Sequence, residues 1–272
     1  MAPQFVKPYV KTNKNDMADA EAICKAVGRP NMRFVPAKTL EAQAILAVHR
    51  ARSGFVKVRT AQANQIRGLP GEFGIVIPQG LTHIAKRVSG ILEDAGNGLP
   101  DTMRPLIRRL TEHLGVLDRE VLAQKVQIET WHRRHEASRK LAKIPGIGPI
   151  TASALVASIG DAKSFRNGRQ LAAWLGLVPR QHSSGGKQNL LGISKRGDVY
   201  LRTLLIHGAR SVIRFAERKS APEIWLRQLL VRRNPNVAAV ALANKNARTV
   251  WALLAHGQDY RSDYTSAPPA AC

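Results

Sequence analysis

Three groups of residues in this sequence have the types and spacing to act on a phosphodiester. The first is the loop Gln181-His-Ser-Ser-Gly-Gly-Lys187, which sets Ser183 and Ser184 among glycines and cations. A serine hydroxyl becomes a nucleophile when a base or a positive field activates it, and Arg180, Lys187, Lys195 and Arg196 could neutralise the phosphate under attack. No separate general base is evident, since His182 is adjacent in sequence but nothing orients it. On residue types alone the loop could equally bind phosphate without reacting, or bind nothing. The second group is Asp16-Met-Ala-Asp19. Carboxylates three apart share a helix face, and paired carboxylates can hold the divalent metal of a phosphoryl-transfer site. The plainer role is that of caps and dipole partners at a helix start. A two-metal site needs more carboxylates than this, and no acid precedes Asp16.

The third group is the stretch from Leu141 to Gly160. Leu141 and Ile144 close one helix, Pro145-Gly146-Ile147-Gly148 makes a tight hairpin, and Ile150 to Ser158 forms a second helix. Glycine lets a phosphate approach the backbone with no Cβ in the way, and the free N–H groups of the second helix can bind it. The stretch therefore reads as a helix–hairpin–helix, a grip on nucleic-acid backbone that ignores base sequence. The alternative is a glycine-rich turn between two core helices.

These groups need scaffolding, and the pattern around them is mostly helical. Phe5 to Val10 and Arg33 to Val35 are short strand candidates. Between them, Met17, Ala20, Ile23, Cys24 and Val27 fall at helical spacing, with Asn15 or Asp16 as cap and Gly28 as stop. From Thr39 to about Leu69 a helix carries Arg50, Arg52, Lys57, Arg59 and Arg67 along its solvent side. Thr82 starts another. A longer helix after Pro105 spaces Leu110, Leu114, Leu117, Val121, Gln124, Ile128 and Trp131 four and three apart. That seam fits a coiled coil with another chain or packing on its own domain. Near Arg139 the texture changes and a second domain begins. There a helix ends at Gly176, and another starts after Gly197 with Asp198 as cap and Arg202 in its first turns. Trp225, Leu229, Val240, Val250, Trp251 and Leu254 read as helix core.

Composition narrows the partner. Of 272 residues, 42 are Lys or Arg against 19 Asp or Glu, a net charge of +23 that attracts polyanions such as DNA or RNA. Aromatic residues make up 5% of the chain, which argues against a base-stacking platform. No apolar run approaches the ~20 residues of a membrane span, and the first residues carry no signal-peptide core. Cys24 and Cys272 form neither a disulfide framework nor a zinc pattern, so a reduced cytoplasm is the expected compartment.

Taken in order, the motifs match a family. Lys11-Thr-Asn-Lys precedes Asp-x-x-Asp, and a long helical middle follows. Then come Ile-Pro-Gly-Ile-Gly-x-x-x-Ala from Ile144, Phe-Arg-x-x-Arg-Gln-Leu-Ala-Ala-x-x-Gly-Leu-x-Pro-Arg from Phe165, Ser-Gly, and Ser-Lys-x-Gly-x-x-x-Leu-Arg ending at Arg202. To about Ala216 the chain resembles the insertion-sequence transposases of family one-hundred-and-ten, relatives of a site-specific DNA invertase. The resemblance implies a RuvC-like N-terminal domain whose Asp-Glu-Asp-Asp tetrad holds magnesium. A helical coiled-coil region would join it to a C-terminal domain whose serine becomes linked to DNA. It further implies a guide (bridge) RNA and a homo-oligomer sharing active sites between protomers. Asp16 and Asp19 match the last two acids of the tetrad, and Ser184 matches the nucleophile, with Ser183 as the other register.

The resemblance also carries a departure. The first Asp and the Glu of the tetrad lie upstream in the family, and fifteen residues precede Asp16 here. The expectation is a mostly α chain: a remnant of an α/β RuvC-like domain (1–38), a helical coiled-coil region (39–138), an α-helical C-terminal domain with the helix–hairpin–helix (139–258), and a tail (259–272). Nucleic acid is expected at Pro145, Gly146, Ile147 and Gly148, at Arg180, Lys187, Lys195, Arg196 and Arg202, and at Arg50, Arg59 and Arg67. An N-terminally truncated chain of this kind is expected to be catalytically dead or severely impaired, while its C-terminal half folds. The competing expectations are a relic that binds DNA or RNA without chemistry, and a helix–hairpin–helix structural factor outside the family.

Overall fold

The structure is a computed structural model that describes residues 3–10, 15–30, 32, 37–183, 185, 187, 189–216 and 224–262. It is mostly α-helical, as the sequence pattern predicts. Contacts divide the chain into two units, Met1–Thr39 and Leu40–Cys272.

In the first unit, α1 (Pro3–Val6) runs into a 3-10 turn (Lys7–Tyr9), and α2 spans Asp16–Val27. The strand expected over Phe5–Val10 is therefore helical. Pro8 explains this, because its fixed φ suits a helical turn and its missing N–H weakens any ladder. The second strand candidate, Arg33 to Val35, lies outside the described residues. Asn15 caps α2, its Oδ1 accepting from the Ala18 N–H at 2.7 Å, and the helix stops at Gly28. Its buried face is Ala22 and Ala26, whereas Met17 is 83% exposed and Ile23 and Val27 are about half exposed. The residues at helical spacing are therefore not the buried face of this helix. The small alanines are buried instead, and α2 packs against α1 and the 3-10 turn.

The second unit begins with an arm. Helices α3 (Leu40–Gly71) and α5 (Met103–Arg134) have 32 residues each, so each is ~48 Å long. They run antiparallel: Glu41 meets His135, Arg59 meets Asp118, and Gln62 meets His113. Helix α4 (Leu81–Glu93) folds over the far end. There Ile66, Ile77, Ile84, Val88, Leu99, Ile107 and Leu114 make a separate core. Arg104 ties this tip together, donating to the carbonyls of Ile91, Leu92 and Leu99 and to Asn97 Oδ1. The α5 seam is thus filled from within the chain: Leu114, Leu117, Val121 and Ile128 are buried, and α5 packs along α3.

The rest forms a helical head around one apolar cluster. It comprises α6 (Glu136–Leu141), α7 (Pro149–Ile159), a 3-10 turn (Ala162–Ser164), α8 (Gly168–Trp174), α9 (Val199–Ala216), α10 (Ile224–Arg232) and α11 (Pro235–His256). Between α8 and α9 lies a two-stranded antiparallel ribbon, β1 (Pro179–Gln181) and β2 (Leu190–Ile193). Pro179 lies opposite Ile193 and Gln181 opposite Leu190, with an irregularity between them. Arm and head meet where Ile45, Ile128 and the α7 residue Ala157 pack together with Trp131 and Ile150. Residue 138 is accordingly not a break in the contacts, since α3 and α5 both pack on α7. Among the described residues no helix is long and apolar enough to cross a membrane.

Candidate nucleic-acid interface

The turn between α6 and α7 is held from behind. Gly146 has φ +86°, and a Cβ there would stand 2.8 Å from the carbonyl oxygen of Gly208 on α9. A Cβ on Gly208 would stand 1.8 Å from the oxygen of Gly146. Asn246 of α11 is buried and donates to the Pro145 carbonyl at 2.9 Å, while Ile147 points into the core. Gly146 thus serves backbone-to-backbone packing. Gly148, the exposed N-cap of α7, has open space where its Cβ would be, with Pro149 following as the first helical residue. Of the two glycines, it is Gly148 that leaves the backbone open to an anion.

The ribbon presents the second group. Arg180, Lys187, Lys195 and Arg196 are all exposed, as are the described loop residues Ser183 and Gly185. Ser184 lies outside the described residues. The exit from β2 is fixed: the Ser194 N–H donates to the Val178 carbonyl at 2.8 Å, and that of Lys195 to the Gly176 carbonyl at 3.2 Å. Lys195 is held at φ +55°, the one described non-glycine residue in the left-handed region. Such a conformation costs roughly 1 kcal/mol or more and persists where its surroundings impose it. Those surroundings are the end of α8, which presses on the turn so closely that a Cβ on Gly197 would lie 1.9 Å from the Trp174 oxygen. Asp198 then caps α9, accepting from the Leu201 N–H at 3.0 Å.

Several cations assigned to the interface from sequence do other work. Arg202 is 7% exposed, and its guanidinium donates to the carbonyls of Leu175 and Arg196, each at 3.1 Å. It braces the turn from inside and presents nothing to a phosphate. Arg59 is only partly exposed and pairs with Asp118 at 3.0 Å across the arm, and Arg67 donates from Nε to the Ile77 carbonyl at 3.2 Å. Arg52 is also half-buried, so the predicted solvent stripe on α3 is reduced to exposed Arg50 and Lys57. Asp16 and Asp19 occupy the first turn of α2, Asp16 exposed and Asp19 half-buried. The only other acid in that unit, Glu21, pairs with Lys25. No group of three His, Cys, Asp or Glu able to hold a metal occurs among the described residues. Two carboxylates do not by themselves complete the six-oxygen shell that magnesium favours, although waters can fill much of it.

Sequence reasoning missed a buried polar cluster at the foot of the arm. His49 on α3 is 1% exposed, with Nδ1 3.0 Å from the Tyr200 hydroxyl and Nε2 3.0 Å from Ser153 Oγ. Ser153 Oγ lies 2.7 Å from the Pro149 carbonyl and spends its proton there. The ring therefore donates from Nε2 to Ser153 and accepts at Nδ1 from Tyr200. Burial, with the nearby Arg52 charge, lowers the His49 pKa from 6.5 to about 4, and burial raises that of Tyr200. The available signal was a histidine four residues after Ile45, on the face that packs against the head.

This geometry is a cation-rich helical head with two turns exposed, carried on a helical arm. The sequence profile described as "Transposase IS116/IS110/IS902 family" matches residues 138–223, which include both turns. A probable family 20 transposase of Pseudomonas aeruginosa is 52% identical over 263 residues, covering 96% of this chain and 78% of the relative. The transposase for insertion sequence element IS1111A of Coxiella burnetii is 45% identical over 262 residues, covering 96% and 72%. A pilin gene-inverting protein of Moraxella bovis is 46% identical over 74 residues, 26% of this chain and 22% of that one. The chain belongs to the IS116/IS110/IS902 family of transposases.

Proposed function

We propose that the chain handles DNA for an insertion sequence, cutting and rejoining it through a serine nucleophile in the cytoplasm. The observation that carries this reading is the exposure of Arg180, Lys187, Lys195 and Arg196, which flank in sequence the loop holding Ser184, the residue the family resemblance marks as reactive. In the proposed step Ser184 Oγ loses its proton and bonds to the phosphorus of a DNA phosphodiester. The bond from phosphorus to one deoxyribose oxygen breaks, and that oxygen takes up a proton and leaves as a hydroxyl. Attack by another strand's hydroxyl on the serine phosphodiester reverses the step and rejoins DNA. The cations lower the charge that builds on the phosphate oxygens. The α6–α7 turn, read as a helix–hairpin–helix, holds a neighbouring stretch of backbone without reading its sequence.

A guide (bridge) RNA and further copies of the chain are the partners that the resemblance adds, and a net charge of +23 suits either polyanion. Asp16 and Asp19 are the residues that would share in holding magnesium, whose chemistry when bound is to stabilise charge on phosphate oxygens. The serine step is written without it. A binding-only reading draws on one observation: these two carboxylates sit in a first helical turn, where they favourably complement the helix dipole.

A denaturant-resistant adduct between the chain and end-labelled DNA separates the two readings. The transposase reading expects an adduct with wild type and with Ser183→Ala, and none with Ser184→Ala. DNA binding that is intact while no adduct forms under any magnesium concentration would leave the binding-only reading standing.

A further inference from the structure

The two exposed turns are far apart in sequence, yet one buried imidazole ties the helices that follow them. Ser153 lies in the first turn and a half of α7, which starts immediately after Gly148. Tyr200 is the second residue of α9, which starts immediately after Lys195-Arg196-Gly197-Asp198. His49 hydrogen-bonds both at 3.0 Å, and its own helix is the arm. The far side of each turn is held separately, one by Gly208 and Asn246, the other by the end of α8 and by Arg202. From Tyr200 to Gly208, which touches the hairpin, α9 advances eight residues, or about 12 Å.

We propose that His49, Tyr200 and Ser153 are positioning residues for DNA: their joint sets the spacing at which the hairpin and the ribbon turn present their phosphate-binding groups. Arg52, one turn along α3, is close enough to the Tyr200 hydroxyl to act on it electrostatically. Neither the imidazole nor the serine reaches solvent, so these groups act on DNA only through the turns they hold. Because His49 belongs to the arm, displacement of the arm at its foot alters both turns together. This inference rests on the DNA-handling reading.

The test is DNA affinity as a function of salt for wild type, Tyr200→Phe, Ser153→Ala and the double variant. Each phosphate contact contributes about 0.9 to the slope of log K against log salt. Either single variant is expected to weaken binding about tenfold and to flatten the slope by about one contact. The double variant should do no more than either single, because one joint is broken in each case. A merely structural role lowers thermal stability additively and leaves the slope of the folded protein unchanged, which overturns the proposal. Should one single variant not fold, the other carries the same test. A wild type with flat salt dependence sinks the DNA reading itself, whereas a steep wild type matched by equally steep variants sinks the joint alone.

Discussion

The hairpin turn at Pro145–Gly148 and the ribbon turn at Ser194–Asp198 sit on the same head, and both contain glycines in a basic chain. In the hairpin, Gly146 meets the backbone of α9 and Ile147 fills the core, so most of the turn is committed to packing. In the ribbon turn the backbone is equally pinned, by Gly176, Gly197 and the buried Arg202, but every cation outside that pin faces solvent. A glycine-rich turn thus has two separable duties, close approach to its own fold and open approach to a ligand, and different residues perform them. Gly146 and Gly208 perform the first; in the proposed function, Gly148 and the exposed cations perform the second.

The sharpest way to break this comparison is to add one methyl group. Gly208→Ala places a Cβ against a backbone carbonyl that has no flexible side chain to move aside. A destabilisation of about 3 kcal/mol or more is expected, read by urea unfolding. Gly146→Ala adds the strain of a positive φ to a similar clash. Near-wild-type stability in both would show that α9 and the hairpin are not packed backbone to backbone.

The next largest effect belongs to the foot of the arm and appears with pH. The folded chain keeps His49 neutral to about pH 4, while the unfolded chain protonates it near 6.5. The folded state therefore binds fewer protons between these values. Stability from this group is complete above pH 6.5, falls as pH drops toward 4, and levels off below. The difference amounts to about 3 kcal/mol at most. His49→Gln removes the titration, so subtracting its stability curve from that of wild type isolates the window. Parallel curves between pH 7 and 4 would mean the imidazole is solvated.

These two effects also mark what sequence could reveal. The arm was legible because its apolar positions recur at helical spacing over many turns. The caps at Asn15 and Asp198 were legible because side-chain type and local chain direction suffice to form them. The intramolecular partners of Arg202, Arg59 and Arg67 were not legible, because nothing local distinguishes an arginine that donates to carbonyls or a cross-arm acid from one facing water. Tertiary packing also decided the buried face of α2, against the larger side chains, and joined His49 to Tyr200 across 151 positions. The exposure of the ribbon's cations was legible, since charge on a polar glycine loop has few places to go but outward.

On the ribbon side, replacing Arg180, Lys187 and Arg196 by alanine removes three exposed charges and leaves the strained Lys195 in place. Stability should stay within about 0.5 kcal/mol, as for surface changes generally. DNA affinity should fall about a hundredfold at moderate salt, and the salt slope should flatten by about 2.7 if each cation meets one phosphate. An unchanged slope would move the interface away from the ribbon and leave the hairpin as the main candidate.

The smallest effect divides the hairpin's own two glycines. Gly148→Asp places a good N-cap and a favourable negative charge at the start of α7, in space that is open. Stability should therefore hold or rise by a few tenths of a kcal/mol up to about 1 kcal/mol. The same carboxylate repels a phosphate at that position, so DNA affinity should fall about tenfold while the fold is unharmed. That opposition is the useful signature, because a variant that binds less by folding less moves both quantities together. If Gly148→Asp gains stability and binds DNA as well as wild type, the hairpin's open side carries no phosphate. The turn is then a packing device on both of its glycines.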